Sequence, residues 1–354
     1  MSSSQDQEIN MVAEELPFDL LLDIFSRLPA KTLARFRCSS KTFLNHLTSP
    51  YFRQLHHQKS SKNPFLISLA LSNQSADWRR SSTVLVRKDY VLSMIDHKGE
   101  PISQFHEKIE IDDRLSTKIF LLPSHQNLVC LSSTNRIYVF NPSKHEFVEL
   151  PKGFNFDSRA DMVGFGYVPS KDVYKVVRLF YKVFDYHNYY YDVGVEILTI
   201  SNYNGSNNNN IIQSCSSWRV LDGEDLCRFV VEGKSVSVNG LIHWKINDYC
   251  CDREKGVEEI LSFDLEDEKF LVLPFPRFAI EDASLQLVEL RGNLWGSVSK
   301  FRGDDYIMDM WVLKDFDKFD WVKEYSINLD YFERFCGEVI GEMFNVINVN
   351  HKEE

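Results

Sequence analysis

Apolar positions change their period once along this 354-residue chain. Between residues 14 and 59 they recur at helical spacing. Leu21, Ile24, Phe25 and Leu28 fall at i, i+3, i+4 and i+7, with Asp19, Asp23 and Arg27 on other faces. The early acids and late Arg27 suit the helix dipole, and Pro29 ends the segment. The pattern predicts a second short helix over 32–37, with Leu33 and Phe36 apolar. A third is predicted over 41–47, carrying Phe43, Leu44 and Leu47. A fourth opens at Ser49-Pro50, a serine N-cap followed by proline at the first helical position. Helices this short are marginal alone. Leu20, Leu21, Ile24, Leu28 and Leu33 offer more apolar surface than so small a bundle hides. The surplus is expected to be buried on another protein, as in helix-in-groove recognition. The alternative is that the bundle caps the rest of the chain.

From residue 64 the pattern becomes short runs of Val, Ile, Leu, Tyr and Phe between turn residues: FLISLAL (65–71), STVLVRKDYVLSMID (82–96), RIYVF (136–140), DVYKVVRLF (172–180) and VGVEILTI (193–200). Three segments share an internal order of strand, gap, strand, polar turn, strand. They are NLVCLSSTNRIYVFNPSKHEFVELP (127–151), NGLIHWKI with EEILSFDLEDEKFLVLPFP (239–276), and RGNLWGSVS with MDMWVLKDFDKFDWVKEYSI (291–327). The spacing between the first two leaves room for one more unit, which GFGY, YKVVRL, VEILTI and SWRVL fill. A repeat of about 50 residues with four strands matches a kelch-like propeller blade, and residues 64–350 would hold about six. An irregular β-sandwich with similar hairpins is the competing architecture. The expected organisation is multidomain: residues 1–13 disordered, an all-α bundle over 14–59, then an all-β propeller over 64–350. The Tyr-rich stretch with Tyr186, Tyr189, Tyr190 and Tyr191 reads either as a cross-strand aromatic ladder or as a contact surface for a target. The run SNYNGSNNNN (201–210) is low-complexity and expected to be a tolerated insertion.

Composition sharpens this picture. The aromatic share of 13% favours pleated surfaces. The first 15 residues carry no basic region and no apolar core, and no run of 18 apolar residues occurs, so neither a secretory signal nor a membrane span is expected. The seven cysteines are odd in number and irregularly spaced, which points to reduced thiols in the cytoplasm or nucleus. Cys250-Cys251 near His243 and Cys227 lacks the spacing of a zinc site, so no metal is expected. Charge is uneven: residues 24–76 contain no Asp or Glu, while the net charge of the whole chain is −11. A basic segment ahead of an acidic body points to an acidic partner, protein or nucleic acid.

No catalytic constellation emerges. Gly233-Lys234-Ser235 resembles the tail of a P-loop, but position 228 is Arg where that motif needs its first Gly. Gly164-Phe165-Gly166 lacks the third glycine of a dinucleotide fingerprint. His243, beside Trp244 in a repeat strand, reads as a packed core residue. A non-enzyme without a cofactor is expected.

The segment LPFDLLLDIFSRLPAKTLARFRCSSKTFLNHLTSPYFRQLHHQ resembles an F-box. The motif positions are Leu16-Pro17, Leu21, Ile24, Leu28-Pro29, Leu33, Arg35 to Cys38, Ser40-Lys41, Phe43 and Ser49 to Phe52. Phe43 stands where Trp is usual, and Ser39 where Val is usual. With GLIHW, ILSFDL and F-x-x-L-P in the strand repeats, the chain resembles the plant F-box proteins with an F-box-associated or kelch-type domain. The resemblance implies a substrate receptor of an SCF-type (Skp–cullin–F-box) ubiquitin ligase. Leu16, Pro17, Leu20, Leu21, Ile24, Leu28, Pro29, Leu33, Phe36 and Phe43 would face a Skp-family adaptor, and through it a cullin. The β domain would capture an unidentified target protein. The alternative is a non-catalytic propeller scaffold or nucleic-acid-binding module. Against nucleic acid, Arg35, Arg37 and Lys41 are interleaved with apolar positions rather than gathered in a basic stripe.

Overall fold

A computed structural model describes residues 17–28, 30–49, 51–52, 55–56, 59, 66–71, 85–95, 101–112, 119–122, 128–133, 136–142, 145–153, 162–185, 190–201, 211, 215–221, 231–246, 258–276, 284–303 and 305–329. The chain divides into two compact units. The helices belong to the first, the sheets formed from residue 120 onward belong to the second, and the three strands between contribute residues to both.

Three helices open the first unit: α1 (Phe18–Ser26), α2 (Ala30–Arg37) and α3 (Lys41–Leu47). Residues 51–52, 55–56 and 59 are also helical. Caps fix where helices begin. Ser40 Oγ accepts the Phe43 N–H at 3.1 Å, and Ser49 Oγ accepts the Phe52 N–H at 3.2 Å. The Ser49 cap was legible in the sequence; the Ser40 cap was not singled out there.

The strands form one three-stranded sheet, β1 (Leu66–Leu71), β2 (Leu85–Ile95) and β3 (Pro101–Asp112), and four sheets of four. The first of four holds β4 (Phe120–Leu121), β5 (Val129–Ser133), β6 (Arg136–Asn141) and β7 (Glu146–Glu149). The second holds β8 (Val163–Val168), β9 (Val173–Asp185), β10 (Tyr190–Ser201) and β11 (Arg219–Val220). The third holds β12 (Val231–Val238), β13 (Leu241–Ile246), β14 (Glu258–Asp264) and β15 (Phe270–Phe275). The fourth holds β16 (Ser284–Leu290), β17 (Asn293–Arg302), β18 (Asp305–Asp315) and β19 (Asp320–Asn328). Each four-stranded sheet is an antiparallel meander in chain order. The three repeats in the sequence are the second, third and fourth strands of three sheets, and the four pieces between them make one complete sheet. Among the described residues there are five sheets, where the repeat length led to an expectation of about six.

Turn chemistry repeats with the strands. Asp264 Oδ1 accepts from the backbone N–H of Glu266 and Asp267, and Asp315 Oδ1 from those of Asp317 and Lys318. Four residues after each aspartate the chain takes a positive φ, 58° at Glu268 and 54° at Phe319. His145, four after Asn141, takes 55°. Asn239-Gly240 and Arg291-Gly292 close two-residue hairpins with both φ values positive, the type I′ pattern.

Successive sheets stack face to face. Val139, Cys130 and Ile137 pack with Phe165, Val176 and Leu198; Leu179, Val195 and Ile197 with Trp244, Leu261 and Phe263; Val238, Leu273 and Phe275 with Val298, Trp311 and Trp321. A sheet covered on both faces by its sequence neighbours is the arrangement of a propeller, not of a two-layer sandwich. Indole ties cross the same seams. Trp218 Nε1 donates to Pro151 O at 2.6 Å and Trp321 Nε1 to Pro274 O at 3.1 Å, so the proline of each F-x-x-L-P motif accepts from the next sheet.

Candidate functional site

The inner side of the helical unit is aromatic. Phe25 lies 4.9 Å from Phe36 and 5.3 Å from Phe43 between ring centroids, and Leu22, Leu33, Leu47 and Phe52 are buried with it. Phe43, the smaller aromatic at the usual Trp position, is packed edge-on against Phe25. Polar ties hold the helices in place. Arg37 Nη2 donates to Leu47 O at 3.1 Å, and His56 Nε2 lies 2.9 Å from Leu28 O. Asp23 receives Arg27 at 3.0 Å and Lys59 at 3.4 Å; the Arg27 hydrogen bond, ahead of the other causes, lowers its pKa.

The apolar positions of α1 divide between two faces. Leu22 and Phe25 are buried, whereas Ile24 is 48% exposed and Leu20 52% exposed. Four residues apart, these two stand one turn from each other on the outer face. Pro17 is exposed; Leu21, Leu28, Phe36 and Phe43 are half-buried against the aromatic core. Leu33, expected on the docking surface, is 2% exposed and lies inside the bundle. Leu16 and Pro29 lie outside the described residues. Tyr51, 66% exposed, was not singled out in the sequence although it stands beside the buried Phe52 of the Ser-Pro-x-Phe motif. Arg35 and Lys41 are exposed, so part of the acid-free segment presents positive charge. Ser39 is exposed and donates to Phe36 O at 2.7 Å, so it removes nothing from the interior packing.

In the β domain, Tyr190 and Tyr191 pair with Asp185 and Phe184 in the β9–β10 register; Tyr186 and Tyr189 lie outside the described residues, as do Cys227, Cys250 and Cys251. His243 is buried, with Nδ1 2.7 Å from Ser262 Oγ, and burial pushes its pKa down to about 3. It is a neutral core group. The Gly164 and Gly166 pair serves packing: a Cβ on Gly164 would meet Ile242 Cγ2 and Trp244 Cζ2 at 2.6 Å. A cleft of about 400 Å³ is lined by Pro151, Lys152, Gly153, Cys215, Ser216, Ser217 and Trp218. Burial, with Glu146 adding to it, raises the Cys215 thiol to about 11, which leaves a poor nucleophile there. Among the described residues no three His, Cys, Asp or Glu side chains gather to hold a metal.

Comparison with known proteins agrees with this geometry. Residues 14–55 match the F-box domain, and residues 82–339 match the F-box associated beta propeller domain. The chain belongs to the F-box proteins with an F-box associated propeller. Among its relatives in Arabidopsis thaliana, F-box protein At3g07870 is 28% identical over 346 residues, covering 89% of this chain and 73% of the relative. F-box protein DOR is 26% identical over 323 residues, covering 88% and 73%. Among solved structures, mutant Synechocystis apocarotenoid oxygenase superposes with a TM-score of 0.40 at 11% identity. That match covers 75% of this chain and only 58% of the oxygenase, and none of the oxygenase's properties is carried over to this F-box protein.

Proposed function

We propose that this F-box protein is a target receptor of an SCF-type ubiquitin ligase in the cytoplasm or nucleus. Its helical unit docks on a Skp-family adaptor and, through that adaptor, on a cullin, while its propeller captures the protein to be ubiquitylated. It carries out no covalent step itself. The observation that carries the reading is the outer face of α1: Leu20 and Ile24 remain half exposed although an aromatic core is available beneath them. In a protein with a matched F-box domain, such a pair is best explained by burial on another chain. Exposed Arg35 and Lys41 favour an acidic adaptor surface. The test is co-purification with a Skp-family adaptor. Leu20→Asp combined with Ile24→Asp should abolish it while the propeller keeps its melting transition; retained adaptor in that variant would defeat the proposal.

A further inference from the structure

The first strands of successive sheets lie side by side. Ser235 Oγ of β12 donates to Val163 O of β8 at 2.9 Å, and a Cβ on Gly166 would reach Ser237 Oγ. Residues advance together along both strands, so β8 and β12 run in the same direction. The end of β12 likewise meets the β16–β17 turn, where Asn239 Nδ2 donates to Gly292 O at 3.2 Å. The first strands therefore form the inner edge of the domain, and the connections between second and third strands share one of its ends.

Near that end β12 carries a bulge. Glu232 pairs with Lys245 and Val236 with His243, so residues 233–235 stand opposite Trp244 alone. Gly233 opens the bulge at φ 75° with open space around any Cβ, so the glycine is there for its backbone conformation rather than for close approach. A bulge re-aims side chains, and Lys234 lies inside this one. It is exposed, yet the surrounding protein removes enough water to lower its amine below the ordinary lysine value. Desolvation is the cause of that shift, and among the described residues no carboxylate acts on it. The chain has 51 acidic residues and places half-buried Glu268 on buried Lys175 and buried Asp309 on Lys300 and Lys323. Among the described residues Lys234 receives no such partner.

We propose that Lys234 is a recognition residue for a carboxylate on a segment of the target protein, bound at the inner edge of the propeller. This rests on the receptor reading above and deepens it. A partly desolvated ammonium without a counter-charge is stabilised by an arriving anion. The net charge of −11 repels free small anions, so the carboxylate must come on a chain that gains affinity from other contacts. Such contacts are present at the same end. The β17–β18 hairpin runs beyond its pairing with β16 at Ser299 and with β19 at Ile307, and its tip carries Phe301, 65% exposed, 4.8 Å from the Tyr306 ring.

The test is selection of displayed random peptides on the full chain, followed by affinity measurement of the selected peptides. Peptides selected on the wild type should be enriched in Asp and Glu, and Lys234→Gln should weaken them about tenfold or more, the value of one charge-assisted contact. Lys234→Arg should retain most of the affinity. Selected peptides with no acidic enrichment, or an affinity unchanged in Lys234→Gln, would overturn the assignment, as would equal binding of inorganic phosphate at the same site. The methyl shift of reductively dimethylated Lys234 on adding a selected peptide reads the contact without any substitution. Adaptor binding, measured on the same samples, separates the two claims: loss of peptide with adaptor retained concerns Lys234 alone, and absence of adaptor binding in the wild type concerns the receptor reading.

Discussion

Glu196 sits directly across β10 and β9 from Arg178, with Glu196 0% and Arg178 5% exposed and the two side chains in contact. The guanidinium carbon also lies 5.6 Å from the Trp218 ring centroid. Burial lowers the Arg178 pKa, and the attraction of Glu196 opposes that effect. Glu196→Gln keeps the shape and removes the charge, leaving a buried cation without its counter-ion. Such a loss costs about 3–5 kcal/mol, with the glutamine oxygen recovering part of it. A net cost of roughly 3 kcal/mol lowers the melting temperature by roughly 6–12 °C for a domain of this size class. Arg178→Met with Glu196→Leu removes both charges and should lie within about 1 kcal/mol of the wild type, because the desolvation of the ions disappears with them. Urea unfolding followed by tryptophan fluorescence measures both. A cost below about 1 kcal/mol for Glu196→Gln, or a double variant as unstable as the single one, would refute the reasoning.

The remaining predictions are smaller. Ser40→Ala removes the acceptor of the Phe43 N–H and should cost about 1 kcal/mol in thermal unfolding of the helical unit. His243 is neutral when folded, with its pKa lowered from 6.5 to about 3, so the unfolded chain takes up a proton that the folded chain refuses. Stability should therefore fall by about 1.4 kcal/mol per pH unit as pH drops from 6.5 toward 3, and His243→Gln should flatten that slope in urea titrations. Trp321→Phe loses the bond to Pro274 O and should cost about 1 kcal/mol by the same assay. Cys215, raised to about 11, should react with iodoacetamide at pH 8 far more slowly than the denatured chain.

Strand and helix order was legible because each element follows a local rule. The repeats at 127, 239 and 291 became three sheets since their polar turns share one backbone solution, with the side-chain cap at Asp264 and Asp315 and a left-handed residue four positions later. The propeller over the sandwich was settled only by tertiary packing, because either architecture buries alternating strands. The inward face of α1 was not legible for a related reason: the periodic set holds both exposed Ile24 and buried Phe25, and in a short helix that is apolar all round the pattern does not say which side faces its own bundle. Leu33 was expected on the docking surface from the F-box resemblance and lies inside the bundle. Lys234 was noticed for a P-loop likeness that its spacing refuted; its distinction comes from a bulge, which no local pattern announced.

The receptor reading stands on the docking of the helical unit, and calorimetric titration of the purified chain with a Skp-family adaptor tests it most directly. A saturable one-to-one complex, weakened by Leu20→Ala with Ile24→Ala, is the predicted result. Each of these side chains is about half exposed, and fully burying a Leu or Ile is worth about 1.5–3 kcal/mol, so the pair should supply about 2 kcal/mol, or roughly thirtyfold in affinity. No heat of binding at tens of micromolar chain, or a complex indifferent to both substitutions, would contradict it.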